Sequence, residues 1–247
     1  MLRLLMPDDA LRVVEHRADD PDAPVIVLVH GVLDSSLSFE GAIAELTPEY
    51  TVVTYDRRGW GNSRDATRAQ TLDDHAHDVI AAIGGRRATV VAHSFGGAVA
   101  LLAASLRPDL VAALAVFEPT LAWVEWWPDQ ETIREQAQHV QHHFRAGLEG
   151  HPRLTPEEKA ADQAMLANEL TLVREPPFSL VDVTVPLLIG RSTLTTPWHV
   201  DSAGRLAELF AADLVIIEDA GHTAHRTQPK AFADFARRAV ALGQAQA

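Results

Sequence analysis

The sequence has no cysteine among its 247 residues, which excludes disulfides, thiolate nucleophiles and thiolate metal sites. Positive charge is also scarce, since 21 Lys and Arg residues face 34 Asp and Glu residues and leave a net charge of −13. Nucleic-acid and anionic-membrane surfaces are bound by clustered Lys and Arg, so we expect neither partner. No apolar run approaches the roughly 20 residues of a membrane span. These absences predict a soluble protein, and the lack of cysteine fits a reducing, cytoplasmic compartment.

The chain also has no internal repeat, no low-complexity tract and no linker long enough to separate domains. The first ten residues hold only short apolar pieces and meet Pro7, so we expect no signal-peptide core there. An apolar fraction of 47% is ordinary for a soluble globule, and the length allows a sizeable core.

Strand and helix patterns alternate along most of the chain. Strands are predicted at 2–6, 11–16, 24–30, 50–55, 88–93, 110–117, 185–190 and 214–218. The alternation stops between 119 and 184, where two helical stretches, 130–146 and 156–172, are predicted. We therefore expect an α/β fold with a mostly parallel, doubly wound sheet and a helical cap inserted after the sixth strand. Residues 1–118 and 185–247 would form the core, and 119–184 the cap.

The segment Ala92-His93-Ser94-Phe95-Gly96 follows a run of β-formers and precedes an alanine-rich helix. A strand that turns sharply into a helix can present a serine at the apex of the turn, provided that its neighbours are small. Ala92 and Gly96 lie two residues before and two after Ser94, which is the G-x-S-x-G pattern with alanine in its first place. Ser94 is therefore predicted to be a nucleophile.

A serine nucleophile needs a general base and donors for the oxyanion. The base is predicted to be His222, because Gly221-His222 directly follows the last predicted strand; His225 is the alternative, and is expected instead to be exposed. The oxyanion donors are predicted to be the backbone N–H groups of Phe95, at the start of a helix, and of Val32. Gly31 would let the second donor approach closely.

Four motifs together resemble the α/β-hydrolase superfamily: His30-Gly31, the glycine-punctuated loop 56–63, the Ser94 elbow and Gly221-His222. They occur in the order and at the spacing of that family, and the resemblance covers nearly the whole chain. It implies that the insertion is a cap that shapes the substrate pocket. It also implies that the 56–63 loop is structural, with its Asp and Arg pinning neighbouring loops.

One position departs from the family pattern. The family usually carries the acid of its triad as Gly-x-x-Asp after the strand that ends near Gly190, but Thr193 stands at that place. Glu118 ends the preceding strand, and certain lactonases and haloalkane dehalogenases of the family take their acid from that strand. Glu118 is therefore the predicted acid, and Asp201 is the alternative.

These residues predict a serine hydrolase that cleaves a carboxylic ester or lactone without a metal or organic cofactor. Three tryptophans at the entry to the cap, Trp123, Trp126 and Trp127, are expected to contribute to the substrate pocket, together with Gly31, and to favour an apolar or aromatic substrate.

Carbon–carbon bond hydrolysis, perhydrolysis and ligand binding on a decayed site are the alternatives to ester or lactone hydrolysis. The chain is expected to be a monomer or homodimer. The histidines at 139, 142 and 143 have a spacing that could bind a metal, but we interpret them as a solvated helix face.

Overall fold

The computed structural model describes residues 2–5, 11–64, 66, 69, 71–129, 131–132 and 155–245. Within these ranges no helix combines the length and hydropathy that a bilayer crossing requires. The predicted helix at 130–146 and the three histidines within it lie outside the described residues, apart from a helical pair at 131–132.

The described residues contain eight strands, which form one sheet: β1 Leu2–Leu5, β2 Val13–His16, β3 Val25–Val29, β4 Thr51–Tyr55, β5 Ala88–His93, β6 Val111–Phe117, β7 Leu187–Ser192 and β8 Asp213–Ile217. The described α-helices are α1 Glu40–Leu46, α2 Leu72–Ile83, α3 Phe95–Leu106, α4 Pro156–Leu172, α5 Pro197–Phe210, α6 Ala224–Thr227 and α7 Pro229–Gln244.

The strand order is β1-β2-β4-β3-β5-β6-β7-β8. Strands β4, β3, β5, β6, β7 and β8 pair in parallel, whereas β1 and β2 join antiparallel at one edge. The mostly parallel α/β sheet predicted from the alternating pattern is therefore confirmed.

Helices cover both faces of the sheet, and the inner strands divide their side chains between two cores. In β3, Val27 and Val29 lie in the core with α2, α3 and α5, while Ile26 and Leu28 lie in the core with α1, α6 and α7. A strand buried on both faces is apolar at every position, because its side chains alternate between the two layers. This explains the unbroken apolar runs of the sequence.

Local signals set the ends of the helices where the sequence predicted them. Thr71 caps α2 with its side chain, accepting a hydrogen bond from the Asp74 N–H, while the Asp74 carboxylate accepts from the Thr71 N–H. This reciprocal arrangement is a capping box. Gly84 ends the helix in the left-handed conformation, at φ 67°.

The loop after β4 joins neighbouring segments through its charged side chains. The Asp56 carboxylate accepts hydrogen bonds from the backbone N–H groups of Ser36 and Asn62, both at 2.7 Å. The Arg58 guanidinium forms an ion pair with Asp78 of α2 at 2.7 Å. Both contacts suit the structural role expected for this loop.

Among the described residues between β6 and β7 there is no strand, and α4 is the main helix. Met165 on α4 packs so tightly on Gly59 that a Cβ atom there would lie 2.4 Å from the methionine Cε. This places α4 over the loop that follows β4. The boundaries of the cap at 119 and 184 stay a prediction.

The parallel strands direct their carboxyl ends to a single edge of the sheet, where ligands bind in open α/β folds. The ladder between β5 and β6 pairs His93 with Phe117, so the residues that follow them, Ser94 and Glu118, emerge at the same level. Their N–H groups donate to Phe117 O and Gly190 O of the neighbouring strands, at 3.0 and 2.9 Å.

Candidate active site

Ser94 occupies a strained turn between β5 and α3, at φ 54° and ψ −125°. The turn is possible because α3 passes very close to β3: a Cβ atom at Gly96 would lie 2.6 Å from His30 O and 2.7 Å from Val29 O. Only glycine fits there. The residues around Ser94 therefore adopt the strand–turn–helix geometry that the sequence pattern predicts, with the hydroxyl at the carboxyl edge of the sheet.

His222 reaches Ser94 from the loop after β8. Its Nε2 lies 3.1 Å from Ser94 Oγ, and its Nδ1 lies 2.6 Å from Glu118 Oε2. Because an ionised carboxylate can only accept, Nδ1 must donate to it, which leaves Nε2 free of a proton in the neutral ring. Nε2 can then accept the Ser94 hydroxyl proton. The structure thus brings Ser94, His222 and Glu118 into one chain of hydrogen bonds.

Glu118 follows β6 with a left-handed backbone, at φ 46°, and its side chain is fully buried. Its Oε1 accepts from Ser192 N at 2.7 Å and also from Ser192 Oγ. Its Oε2 accepts from Thr195 Oγ1 at 2.8 Å in addition to His222. Each carboxylate oxygen therefore has two donors.

These donors keep the carboxylate ionised. Burial opposes ionisation, but the interactions of the carboxylate with His222, with His199 and with the Ser192 hydroxyl outweigh it and lower the pKa of Glu118 from 4.5 to about 2. His199 is buried, and that burial, together with His222, lowers its own pKa to about 3. At neutral pH the site therefore combines a charged Glu118 with a neutral His199.

The alternative acid, Asp201, is placed elsewhere. It lies within α5 with a half-exposed side chain that forms an ion pair with Arg205 at 2.8 Å. Thr193, at the usual acid position of the family, accepts a hydrogen bond from Asp219 N at 2.9 Å.

The segments that carry the two predicted oxyanion donors both adjoin the serine. Helix α3 begins at Phe95, whose N–H is among the first four of the helix and has no carbonyl partner within it. Gly31 packs directly on the serine, because a Cβ atom there would lie 2.9 Å from Ser94 Cβ. Val32 follows Gly31 and precedes Leu33, whose backbone is also left-handed, at φ 54°.

The sequence prediction for His225 is wrong. It was expected to be exposed, but it is fully buried and its Nε2 lies 3.1 Å from Asp34 Oδ2. Its ring also packs against Phe39, with centroids 5.0 Å apart. His225 faces the interior because it lies within the short helix α6, which packs against α1 and α7.

His93, immediately before the serine, holds the loop that carries the base. Its Nε2 donates to the carbonyl oxygen of His222 at 2.8 Å, and its ring lies 4.6 Å from that of His222. Burial, reinforced by the neighbouring histidines, lowers the pKa of His93 well below 6.5, which keeps it neutral.

The three tryptophans have different contact partners. Trp127 packs edge-on against His199, with centroids 5.7 Å apart, and His199 stacks on His222 at 4.8 Å. Trp126 instead donates from Nε1 to Ser202 Oγ on α5, and Trp123 packs against Phe178. Only Trp127 of the three therefore continues the aromatic stack that begins at the base.

The residues that support Glu118 were not identified from the sequence. Ser192, Thr195 and His199 all come from the segment in which the family acid is missing. A signal was available: four hydroxyl residues, Ser192, Thr193, Thr195 and Thr196, are concentrated in five positions and can donate to a carboxylate from elsewhere.

Within the part of the chain that the structure describes, two groups of side chains have donor atoms close enough to consider a metal: Glu118 with His199 and His222, and Asp34 with His93 and His225. In each group the carboxylate already contacts a histidine nitrogen, at 2.6 and 3.1 Å. Two ligands of a tetrahedral zinc ion lie about 3.3 Å apart, so an ion would have to displace these hydrogen bonds.

The fold and the Ser–His–Glu arrangement together define a class of protein, the hydrolases built on a strand–elbow–helix nucleophile. The model of the alpha/beta hydrolase family matches residues 26–235. The chain belongs to this family.

The individual proteins to which this chain is similar match it over different shares of its length. "Probable oxidoreductase EphD" of Mycobacterium bovis is 35% identical over 102 residues, which are 39% of this chain and only 17% of that protein. "Putative carbamate hydrolase RutD" of Cronobacter turicensis is 29% identical over 238 residues, covering 86% of this chain and 89% of that one. The crystal structure of naproxen esterase from Bacillus subtilis superposes with a TM-score of 0.70 at 22% identity, covering 96% and 90% of the two chains.

Proposed function

We propose that this protein hydrolyses carboxylic esters or lactones through an acyl-enzyme on Ser94. The observation that carries the proposal is the continuous chain of hydrogen bonds from Glu118 through His222 to Ser94, at 2.6 and 3.1 Å. It fixes the tautomer in which His222 can accept the serine proton.

In the acylation step Ser94 Oγ attacks the carbonyl carbon while His222 Nε2 takes the hydroxyl proton. The N–H groups of Val32 and Phe95 stabilise the negative charge on the carbonyl oxygen. The protonated His222 is stabilised by Glu118 and donates its proton to the departing alkoxide, which leaves the acyl group on Ser94.

In the second step a water molecule attacks the acyl-enzyme. His222 accepts a proton from the water, and as the resulting tetrahedral adduct collapses to release the carboxylic acid, His222 returns this proton to Ser94 Oγ and restores the hydroxyl. A lactone follows the same steps, except that its alkoxide is part of the same molecule: acylation opens the ring, and the second step releases a single hydroxy acid.

The aromatic stack from His222 through His199 to Trp127 supports an apolar or aromatic group on the substrate. The similarity to a carboxylesterase and to a protein named as a carbamate hydrolase also supports attack on a carbonyl that bears a heteroatom leaving group.

The proposal is tested by measuring hydrolysis of a panel of p-nitrophenyl esters, aryl-substituted esters, lactones and carbamates. The wild type should hydrolyse at least one ester or lactone, and Ser94→Ala should reduce kcat by about 10⁴ or more, as loss of a triad nucleophile does. Equal rates for the two proteins would contradict the proposal. Turnover of carbamates alone would keep the triad and overturn the ester assignment.

A further inference from the structure

Arg57 is a fully buried arginine that lies behind the proposed oxyanion hole. Its Nε donates to His30 O at 2.9 Å, and its Nη2 donates to Gly31 O at 2.8 Å. Its guanidinium carbon lies 4.8 Å from the centre of the Phe95 ring. Arg57 therefore contacts both segments that supply the oxyanion donors, and its side chain is fully buried.

The contact with Gly31 O fixes the peptide group that carries the Val32 N–H. In a trans peptide the C=O and N–H bonds point in opposite directions, so anchoring Gly31 O sets the direction of the Val32 N–H. A second donor holds the same oxygen, since His30 Nδ1 lies 2.8 Å from it. His30 Nε2 then accepts from the Arg57 N–H at 2.9 Å. His30 can do both only when neutral, and burial and the Arg57 charge lower its pKa to about 4.

The charge of Arg57 is balanced by Glu169, which comes from α4. Arg57 Nη1 and Nη2 donate to the two Glu169 oxygens at 2.5 and 3.1 Å, and neither side chain is exposed. Trp60 Nε1 donates to the same carboxylate at 3.0 Å, and His75 Nε2 lies 3.3 Å from it. A planar fork held on two sides has little freedom to rotate.

We propose that Glu169 is a positioning residue: it holds Arg57 in the orientation that directs the Val32 N–H at the oxyanion, and so makes the oxyanion hole depend on the seating of helix α4. This inference rests on the proposed acyl-transfer function. It assigns to α4 a role in the chemical step in addition to any role in covering the substrate.

The test compares two substitutions on α4. Glu169→Gln keeps the size of the side chain but removes its charge and one of its two acceptor oxygens. Asp162→Asn is the matched control. Asp162 also lies on α4 and forms an ion pair at 2.6 Å with Arg64, which follows the loop after β4, but this pair is partly exposed. Folding of both variants is checked by circular dichroism and thermal unfolding.

Loss of an oxyanion donor costs about 10²–10³ in kcat, so misdirecting one should lower kcat of Glu169→Gln by about ten- to a hundredfold. The KM should change by less than about threefold, because the substrate does not touch Glu169. A trifluoromethyl ketone, whose adduct with the serine carries an oxyanion, should bind more weakly by about the same factor as kcat/KM falls. Asp162→Asn should change neither quantity by more than about twofold.

The inference is wrong if a folded Glu169→Gln has the same kcat as Asp162→Asn, or if its KM rises while its kcat stays unchanged. It is also wrong if neither Glu169→Gln nor the milder Glu169→Asp folds, since the pair would then serve stability rather than positioning. Failure of the acyl-transfer function is recognised separately, because the wild type itself would not turn over esters or lactones.

Discussion

Replacing Glu118 with glutamine should reverse the tautomer of His222. The two sides of the carboxylate are not equivalent, because Oε1 accepts from the backbone N–H of Ser192 at 2.7 Å, and that donor cannot become an acceptor. The glutamine carbonyl must therefore take the Oε1 position. The NH2 group is left at the Oε2 position, where it faces Thr195 Oγ1 and His222 Nδ1.

An NH2 group can only donate, so Nδ1 of His222 would have to accept from it and give up its own proton. The neutral ring then carries its proton on Nε2 and donates to Ser94 Oγ instead of accepting from it. The equivalent change in a serine protease triad lowers kcat by about 10⁴ while the geometry persists. We expect a loss of about this size in Glu118→Gln, with little change in KM because Glu118 is buried behind the base.

The assay is steady-state hydrolysis of the best ester from the panel, with folding checked by circular dichroism. Asp201→Asn is the control, since its carboxylate is half-exposed and pairs with Arg205. It should keep kcat within about twofold of the wild type. A folded Glu118→Gln that keeps kcat within tenfold, or a large loss in Asp201→Asn, would refute the reasoning.

Two further predictions concern stability. Gly96→Ala places a methyl group 2.6 Å from His30 O and should lower the free energy of unfolding by about 1–3 kcal/mol or more. Gly204→Ala lies in α5, where the new methyl group meets no atom within 4 Å, and should raise the free energy of unfolding by roughly 0.4–1 kcal/mol. Urea unfolding of both variants measures these changes. A decrease in Gly204→Ala equal to that in Gly96→Ala would contradict the argument from close approach. Stability should also fall with pH, first below about 6.5, because unfolded histidine takes up a proton that buried His199, with a pKa of about 3, does not accept. It should fall again below about 4.5, where unfolded glutamate is protonated and Glu118, with a pKa of about 2, is not. Unfolding midpoints measured from pH 8 to pH 3 test both; a midpoint that does not change over this range would show that these groups titrate alike in the folded and unfolded states.

Local patterns were sufficient to predict the strands of the sheet and the strand–turn–helix geometry around Ser94. A buried parallel strand needs apolar side chains on both faces, and the Ser94 turn needs glycine where α3 approaches β3, so both features are visible in the sequence. The proximity of Glu118 to the sheet edge also followed from strand order, because both Ser94 and Glu118 directly follow a strand.

Contacts between distant segments could not be read from one sequence. Nothing local to Arg57 indicates a carboxylate from α4, since Glu169 lies more than a hundred positions later. His225 was misjudged for a related reason: its burial depends on the packing of α6 against Phe39 and Asp34, which no periodicity within a four-residue helix reveals. The hydrogen-bond donors to Glu118 likewise come from the segment after β7, for which the sequence analysis considered only the missing acid at position 193.

The proposed chemistry requires Ser94 to be an activated nucleophile. The most direct measurement is labelling of the folded protein with a fluorophosphonate, followed by intact mass and peptide mapping, beside Ser94→Ala. We expect one adduct per chain, located on Ser94, and none on the variant. A folded wild-type protein that stays unlabelled, or an adduct on another residue, would contradict it.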